Sequence, residues 1–523
     1  MEHRAILESG APVPRAGSIA YRRSHRGTVA IGGAGVSIHW PIIRRLLRHP
    51  TRVVAVDDSR AYRGVEILVG AMHAAGAIRR CCESGTVGVL VPTSGAFPIA
   101  ALGAWMLGKT VVPLNYLLKK EELEYVIRDC GTDTIVSVQP MLDYLGYRPG
   151  VRNVVRLEDL PMRSVPEPIR PACVEDDGLA VLLYTSGTSG KPKGVMLTHA
   201  NIETNIAQCR RLVRIGPRDV AVGVLPQFHS FGMTALTLLP LTCGMKIVWS
   251  ARFVPSRIVR LIREHRPTFF IAIPSMYNAL LSVKDADASD FSSLRLAVSG
   301  GEPLPDATAA RFRERFGVVL SEGYGLTETS PVSNICVPEE YRPHSVGRAV
   351  PWMRQRIADP ATGRECAIGT DGEVQMAGPN VMGGYYRLPE LTAQVFTADG
   401  YLKTGDMGRM DEDGHLYITG RIKEMLIIGG ENVFPREIEE VLNAHPSVGE
   451  SAVIGRQDPM RGELPVAFVE VREGQAFDEV ALRMWCRERL AGYKVPDEIR
   501  VLEKLPRNPT GKILRRDLKP LLG

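Results

Sequence analysis

Between Tyr184 and His199 the chain reads Tyr-Thr-Ser-Gly-Thr-Ser-Gly-Lys-Pro-Lys-Gly-Val-Met-Leu-Thr-His. Thr185, Ser186, Thr188 and Ser189 offer hydroxyls, Gly187 and Gly190 leave backbone N–H groups uncovered, and Lys191 and Lys193 add positive charge. That combination suits a polyphosphate. The spacing is not G-x-x-x-x-G-K-[ST], so this is no Walker loop. A plain Ser/Gly turn would need neither two lysines nor three glycines. Elsewhere the types are suggestive only in company. Thr327-Glu328 alone reads as a helix cap. Lys512 alone reads as a tail lysine on a solvated turn, and His229, in an uncharged aromatic segment, as a satisfied core histidine. Tyr324 between two glycines reads equally as plain core.

The elements that must carry these residues alternate. The loop at 184–194 follows an apolar run at Leu179–Leu183. Val87–Val91 and Thr134–Val138 read as buried strands, and Glu121–Arg128, with Leu123, Val126 and Ile127 on one side, as a helix. Arg266–Ile273 and Leu294–Val298 read as further strands, and Ala307–Phe316 as a helix. Alternation of this kind predicts parallel sheets faced by helices. From Gly347 to Gly420, Asp371-Gly372, Asp399-Gly400 and Asp413-Gly414 punctuate what reads as antiparallel strand. Past Arg421 come a strand at Met425–Ile428, a Gly429-Gly430 turn and a helix opened by Pro435.

At 523 residues the chain is too long for one ordinary domain. A 45% hydrophobic and 23% charged composition excludes a disordered or collagen-like chain. The net charge of +6, from 64 Lys+Arg against 58 Asp+Glu, is too thinly spread to argue for nucleic acid. Nine scattered cysteines with no C-x-x-C predict reduced thiols, a cytoplasmic protein and no zinc site. The longest uncharged stretch, Val220–Met245, is broken by Pro226, His229 and Pro240, so it predicts a buried strand and helix and not a membrane span. Residues 1–50 hold Glu2 and Glu8 without an apolar core, which excludes a secretory signal and leaves an N-terminal extension of unknown role. The run Ile42–Arg48 in it is amphipathic and reads as a surface cover.

Several motifs stand in a fixed order after the first loop: Pro226-Gln-Phe-His-Ser-Phe-Gly232, Ser299-Gly-Gly-Glu-Pro-Leu304, Gly323-Tyr-Gly-Leu-Thr-Glu328, Tyr401-Leu-Lys-Thr-Gly-Asp406, Gly420-Arg-Ile-Lys-Glu424, Gly429-Gly-Glu-Asn-Val433 and Asn508-Pro-Thr-Gly-Lys512. Together they resemble the adenylate-forming enzymes, which include acyl-CoA synthetases, firefly luciferase and peptide-synthetase adenylation domains. The resemblance runs from Thr51 to Leu518. It implies an α/β fold: a large domain at 51–421 of stacked α/β sheets plus a small β-barrel-like subdomain, then a smaller mobile α+β domain at 422–523.

It also implies a reaction. A carboxylate attacks the α-phosphate of ATP to give acyl-AMP and pyrophosphate, so two anions must be neutralised as they meet. By resemblance the 184–194 loop holds the β- and γ-phosphates. Thr327 and Glu328 meet phosphate, and Glu328 with Thr188 meets Mg²⁺. Lys512 reaches the carboxylate and the α-phosphate. Asp406 accepts both ribose hydroxyls, supported by Arg421. Tyr324 stacks on adenine, bordered by Gly300, Gly301, Glu302 and Gly325. His229 sits beside the bound carboxylate and does no general-base work, since a carboxylate is already ionised at neutral pH.

The acid and the acceptor follow by the same route. Phe228-His229-Ser230 lacks the Asp with which amino-acid-activating relatives pair an ammonium, so amino acids are disfavoured. Gly325 stands where acetate-specific relatives carry a blocking Trp. With Phe228, Met233, Met276 and Leu326 as apolar lining, this implies a medium- or long-chain fatty acid, with an arylacrylic acid such as coumarate second. Gly429, Gly430 and Glu431 would line the tunnel for coenzyme A after the small domain swings about Lys423. Delivery to an acyl carrier protein and a nucleotide-binding regulator without catalysis stay as alternatives. Peripheral membrane contact and a homodimer stay open.

Overall fold

The computed structural model describes residues 37–175, 177–185, 191–507 and 513–522. Two mixed sheets dominate the large domain. In the nine-stranded sheet, six neighbouring strands run parallel: Val53–Val56, Lys246–Trp249, Val220–Gly223, Phe269–Ala272, Leu296–Gly300 and Leu320–Gly325. Antiparallel strands finish its edges, Ala61–Arg63 on one side and Val332–Ile335 with Arg348–Ala349 on the other. In the seven-stranded sheet, Leu179–Thr185, Thr110–Pro113, Thr86–Leu90, Thr134–Ser137 and Asn153–Arg156 run parallel. Lys193–Thr198 and Gly384–Tyr385 extend it antiparallel.

Thr110–Pro113 and Thr134–Ser137 are buried at every residue, as strands covered on both faces must be. Helix Ala96–Met106 is apolar and buried all round. It crosses helix Gly64–Cys81 at Gly103, where a Cβ would stand 2.9 Å from the Ala71 carbonyl. The strand expected from Arg266 starts only at Phe269, because Arg266 ends the preceding helix with φ +46°. Val220–Met245 holds a strand and helices as expected, with a π-helical stretch at Thr234–Leu238.

Helix His39–Arg48 corrects the expected extension. Ile38, Ile42, Ile43 and Leu46 sit in the main core, while Arg44 and Arg48 face solvent. The Arg45 guanidinium donates to the Cys243 carbonyl at 2.7 Å. From Ser37 onward the chain is therefore part of the large domain, because the apolar face of that helix has core to cover.

The subdomain expected to be barrel-like is also corrected: it is an open four-stranded antiparallel sheet. Its strands are Arg354–Ala358, Gly372–Ala377, Leu402–Met410 and Leu416–Arg421, and the first and last do not pair. Four strands are too few to close around a filled interior.

After a single turn at Ile422–Glu424 the chain enters the last sheet. Glu431–Val433, Leu426–Ile428, Gly462–Val471 and Val448–Asp458 are antiparallel neighbours, and Glu498–Val501 pairs parallel with Gly462–Val471. Helices Pro435–Asn443 and Glu479–Arg487 cover a separate core of Leu426, Ile438, Leu442, Val453, Val469 and Leu482. All nine cysteines are free thiols. Among the described residues no helix is long and apolar enough to cross a membrane.

Candidate active site

The candidate residues of the nine-stranded sheet share one rim. Phe228 and His229 follow strand Val220–Gly223, Met276 follows Phe269–Ala272, Gly300 and Gly301 end Leu296–Gly300, and Tyr324 and Gly325 end Leu320–Gly325. These strands are parallel neighbours, so their carboxyl ends point the same way, where open α/β sheets bind ligands. At Gly300 a Cβ would stand 3.1 Å from the Phe231 ring and from the Gly323 carbonyl, so backbone and ring close together there. Phe228 is buried and meets Tyr116 edge-on at 4.9 Å. Met276 and Leu326 are half-buried against the main core, and Met233 is wholly inside it.

His229 is exposed and not in the core. Its Nδ1 accepts the Phe231 N–H at 3.3 Å, capping the short helix Ser230–Met233. Next to it the Ser230 hydroxyl meets the Thr327 hydroxyl at 3.2 Å, both buried. Gly325 has a local reason to be glycine, since a Cβ there would fall 1.9 Å from the Pro331 carbonyl.

The phosphate-type loop is a hairpin on the other sheet. Thr185 opposes Lys193 across it, and Ser186, Gly187, Thr188, Ser189 and Gly190 lie outside the described residues. Tyr184 anchors its base by donating to Asp129. Lys191 is exposed, its ammonium 5.8 Å from the Tyr125 ring. Strand Gly384–Tyr385 pairs with the returning strand and brings Tyr385 between the two sheets' residues. The Lys193 ammonium lies 5.4 Å from the Tyr385 ring, and the Tyr385 hydroxyl donates to Glu328 Oε1 at 2.7 Å. Burial and then the Glu328 charge push the Tyr385 pKa well up, so it is a neutral donor. Met382 N–H fixes the Glu328 backbone carbonyl at 2.8 Å.

A second acidic centre stands where the nine-stranded and four-stranded sheets meet. Asp406 is 3% exposed. Its Oδ2 accepts the Tyr324 hydroxyl at 2.6 Å, and its Oδ1 pairs with Arg421 Nε at 2.9 Å. Asp406 and Arg421 are direct partners across the antiparallel ladder, which sets that ion pair. Burial and Asp406 together push the Tyr324 pKa far up. Each carboxylate oxygen has a second lone pair, so Asp406 retains acceptor capacity.

The family pattern described as AMP-binding enzyme matches residues 44–386, and that described as AMP-binding enzyme C-terminal domain matches residues 437–512. The chain belongs to the AMP-binding enzymes. A long-chain-fatty-acid–CoA ligase of Bacillus subtilis (strain 168) is 34% identical over 480 residues, which span 83% of this chain and 84% of the relative. A feruloyl-CoA synthase of Amycolatopsis sp is 32% identical, with 92% of this chain and 98% of the relative covered. ATP-bound MatB from Rhodopseudomonas palustris superposes with a TM-score of 0.85 at 29% identity, over 93% of this chain and 99% of that one. Its apo form gives 0.76 over the same coverage, so the arrangement here is nearer the ATP-bound form.

This AMP-binding enzyme is an AMP-forming acyl-CoA ligase that uses ATP, coenzyme A and a small-molecule acid, with Mg²⁺ the usual ion of the family. The donor set fits that ion. Among the described residues no three His, Cys, Asp or Glu side chains gather to cage a metal. One carboxylate, Glu328, stands by the phosphate-type hairpin, and Mg²⁺ characteristically takes its other ligands from water and phosphate oxygens.

In the C-terminal domain of this AMP-binding enzyme, Lys423 is exposed in the Ile422–Glu424 turn between the sheets. Gly429 and Gly430, with φ +61° and +87°, make a two-residue hairpin turn whose Cβ positions meet nothing within 4 Å, and Glu431 follows, exposed. Lys512 lies outside the described residues. Arg515, just beyond it, is held by Glu424 at 3.2 Å and Glu439 at 2.8 Å, and Glu302 of the large domain also favours its charge. Tyr385, Ser230, Tyr116 and Arg515 were not legible as site residues in the sequence. Each is defined by a partner far away in the chain; only the position of Ser230, beside His229, offered a local signal.

Proposed function

We propose that this chain activates a medium- or long-chain fatty acid with ATP to acyl-AMP and pyrophosphate, then passes the acyl group to the thiol of coenzyme A and releases AMP. The observation that carries this reading is the linkage of Lys193, Tyr385, Glu328, Thr327 and Ser230 across two sheets. It sets cation, carboxylate and hydroxyls beside the strand ends that bear Phe228, Met276 and Leu326.

In this reading the hairpin's lysines and N–H groups neutralise the departing pyrophosphate. Glu328, steadied by Tyr385, holds Mg²⁺, which when bound draws charge from the phosphate oxygens. Asp406 orients the ribose, and Tyr324 and Arg421 fix Asp406. Exposed His229 stands at the carboxylate's entrance, and its ring is oriented by the Phe231 N–H. Lys512 bridges carboxylate and α-phosphate in the first step. The second step brings the Gly429-Gly430 turn to the site by rotation about Lys423.

The apolar character of Phe228, Met233, Met276 and Leu326 supports an aliphatic acid, as does the Bacillus subtilis relative. The Tyr116–Phe228 ring pair and the feruloyl-CoA synthase relative favour a second reading, an arylacrylic acid. The test is product analysis with ATP, Mg²⁺ and acids of graded chain length beside coumaric and ferulic acids, with and without coenzyme A. The proposal expects acyl-CoA and AMP, with kcat/KM rising with aliphatic length. Turnover of arylacrylates alone would replace it with the second reading. Acyl-AMP that accumulates beside unused coenzyme A would point to a carrier-protein acceptor.

A further inference from the structure

Away from the strand-end rim, a second cleft lies between the large and C-terminal domains. Its walls include Ser275, Asn278 and Arg311 on one side and Asn443, Glu450 and Arg472 on the other. Two arginines therefore line it from opposite domains. Arg472, half-buried just past strand Gly462–Val471, donates to the Val448 carbonyl at 2.8 Å. Burial and then the charge of Arg311 push its pKa down. Arg311, on helix Asp306–Phe316, makes a long 3.5 Å contact with Asn278 Oδ1.

The nearby carboxylates are committed elsewhere. Glu450, on the wall itself, pairs with Arg507 at 2.5 Å. Asp306, at the start of the helix of Arg311, pairs with His344 at 3.1 Å. Among the described residues neither Arg311 nor Arg472 lies within salt-bridge distance of any carboxylate. Like charges half-withdrawn from water repel, and that repulsion works against the pose seen here. An oxyanion between them would turn the repulsion into two charge-assisted pairs, for which the guanidinium fork is well shaped. Ser275 and the Asn443 amide add neutral donors to the same wall.

We propose that this cleft binds a phosphate group and that the bound phosphate ties the C-terminal domain to the large domain. The group would come from inorganic phosphate or pyrophosphate, or from coenzyme A. Binding stands apart from the catalytic reading above; only its effect on turnover rests on that reading. Because the anion bridges the pose nearer the ATP-bound form, it would be released when the small domain turns away.

The test uses the whole enzyme in phosphate-free buffer, its nucleotide rim filled by an acyl-sulfamoyl adenosine, which carries no phosphate. Calorimetric titrations with inorganic phosphate, coenzyme A and 3′-dephospho-coenzyme A separate the sources. The proposal expects saturable phosphate binding that Arg311→Gln and Arg472→Gln each weaken at least about tenfold, with Arg311→Lys intermediate. Tighter binding of coenzyme A than of its dephospho form, lost in the same variants, would assign the phosphate to coenzyme A. Phosphate should also slow proteolysis at the Ile422–Glu424 turn in the wild type and not in the variants. Unchanged melting temperatures and an unchanged single-turnover rate of acyl-AMP formation, both in phosphate-free buffer with no pyrophosphate added, would show that the variants are folded and competent. Absence of saturable binding of any of these ligands, equal affinity in variants and wild type, or binding without protection of the turn would overturn the proposal.

Discussion

Tyr385→Phe removes one oxygen and keeps the ring that Lys193 lies beside. The hydroxyl donates to Glu328 Oε1 at 2.7 Å, and an O–H bond to a carboxylate is worth about 1.5–3 kcal/mol. Glu328 then keeps its backbone bond from Met382 but loses the donor that orients its carboxylate. If that energy is expressed at the transition state of adenylation, the first step slows about 10- to 150-fold, since about 1.4 kcal/mol is one decade. Isotopic pyrophosphate exchange as a function of Mg²⁺ concentration reads this directly, and a higher Mg²⁺ requirement is expected beside the slower rate. Thioester formation from supplied acyl-AMP should stay within about twofold, because the bond concerns only the phosphate side of the site. A Glu328→Gln/Tyr385→Phe double-mutant cycle should show the two losses to be non-additive. Exchange within about twofold of wild type, with unaltered Mg²⁺ dependence, would refute the reasoning.

Further expectations can be checked alongside. Ile42, fully buried in the core, should cost about 2–5 kcal/mol in urea unfolding when changed to Ala, whereas a loss below about 0.5 kcal/mol would return that helix to the surface. Burial raises Glu322, on strand Leu320–Gly325, from 4.5 to about 7; the charge of Arg436 opposes the shift and that of Glu440 adds to it. Its folded pKa thus lies above its unfolded one, so the native state holds the extra proton and stability falls by about 3 kcal/mol as pH rises from 4.5 to 7. Glu322→Gln should flatten that fall and be more stable than wild type at alkaline pH; parallel pH profiles would contradict it. Lys512→Ala should abolish acyl-AMP formation and spare thioester formation from supplied acyl-AMP, and equal loss of both steps in single-turnover assays would count against its role. Lys423→Pro should slow the second step more than the first, and unchanged rates in both would remove the hinge from that turn.

Strands and helices with strong local patterns were legible. Thr134–Ser137, Leu179–Thr185 and the Pro435 helix stand where apolar runs and turn residues place them. What periodicity cannot say is what a face packs against. The apolar side of His39–Arg48 reads the same on a surface or in a core, and only the assembled sheet shows that it is core. The core reading of His229 fails for a related reason, since an uncharged neighbourhood in sequence does not itself bury the residue that caps the buried helix Ser230–Met233. Tyr385 was invisible because its two-residue strand owes its place to pairing with Lys193–Thr198. The glycines at 429 and 430 were legible as a turn, and their positive φ values give that turn its own requirement for glycine.

The most direct test of the central claim is the fate of carboxylate oxygen. An acid labelled with oxygen-18 in its carboxyl group is turned over with ATP, Mg²⁺ and coenzyme A, and the products are weighed by mass spectrometry. Attack of the carboxylate on the α-phosphate predicts one labelled oxygen in AMP for each acyl-CoA formed, with none in pyrophosphate. Unlabelled AMP, or label in inorganic phosphate with ADP as the nucleotide product, would contradict it.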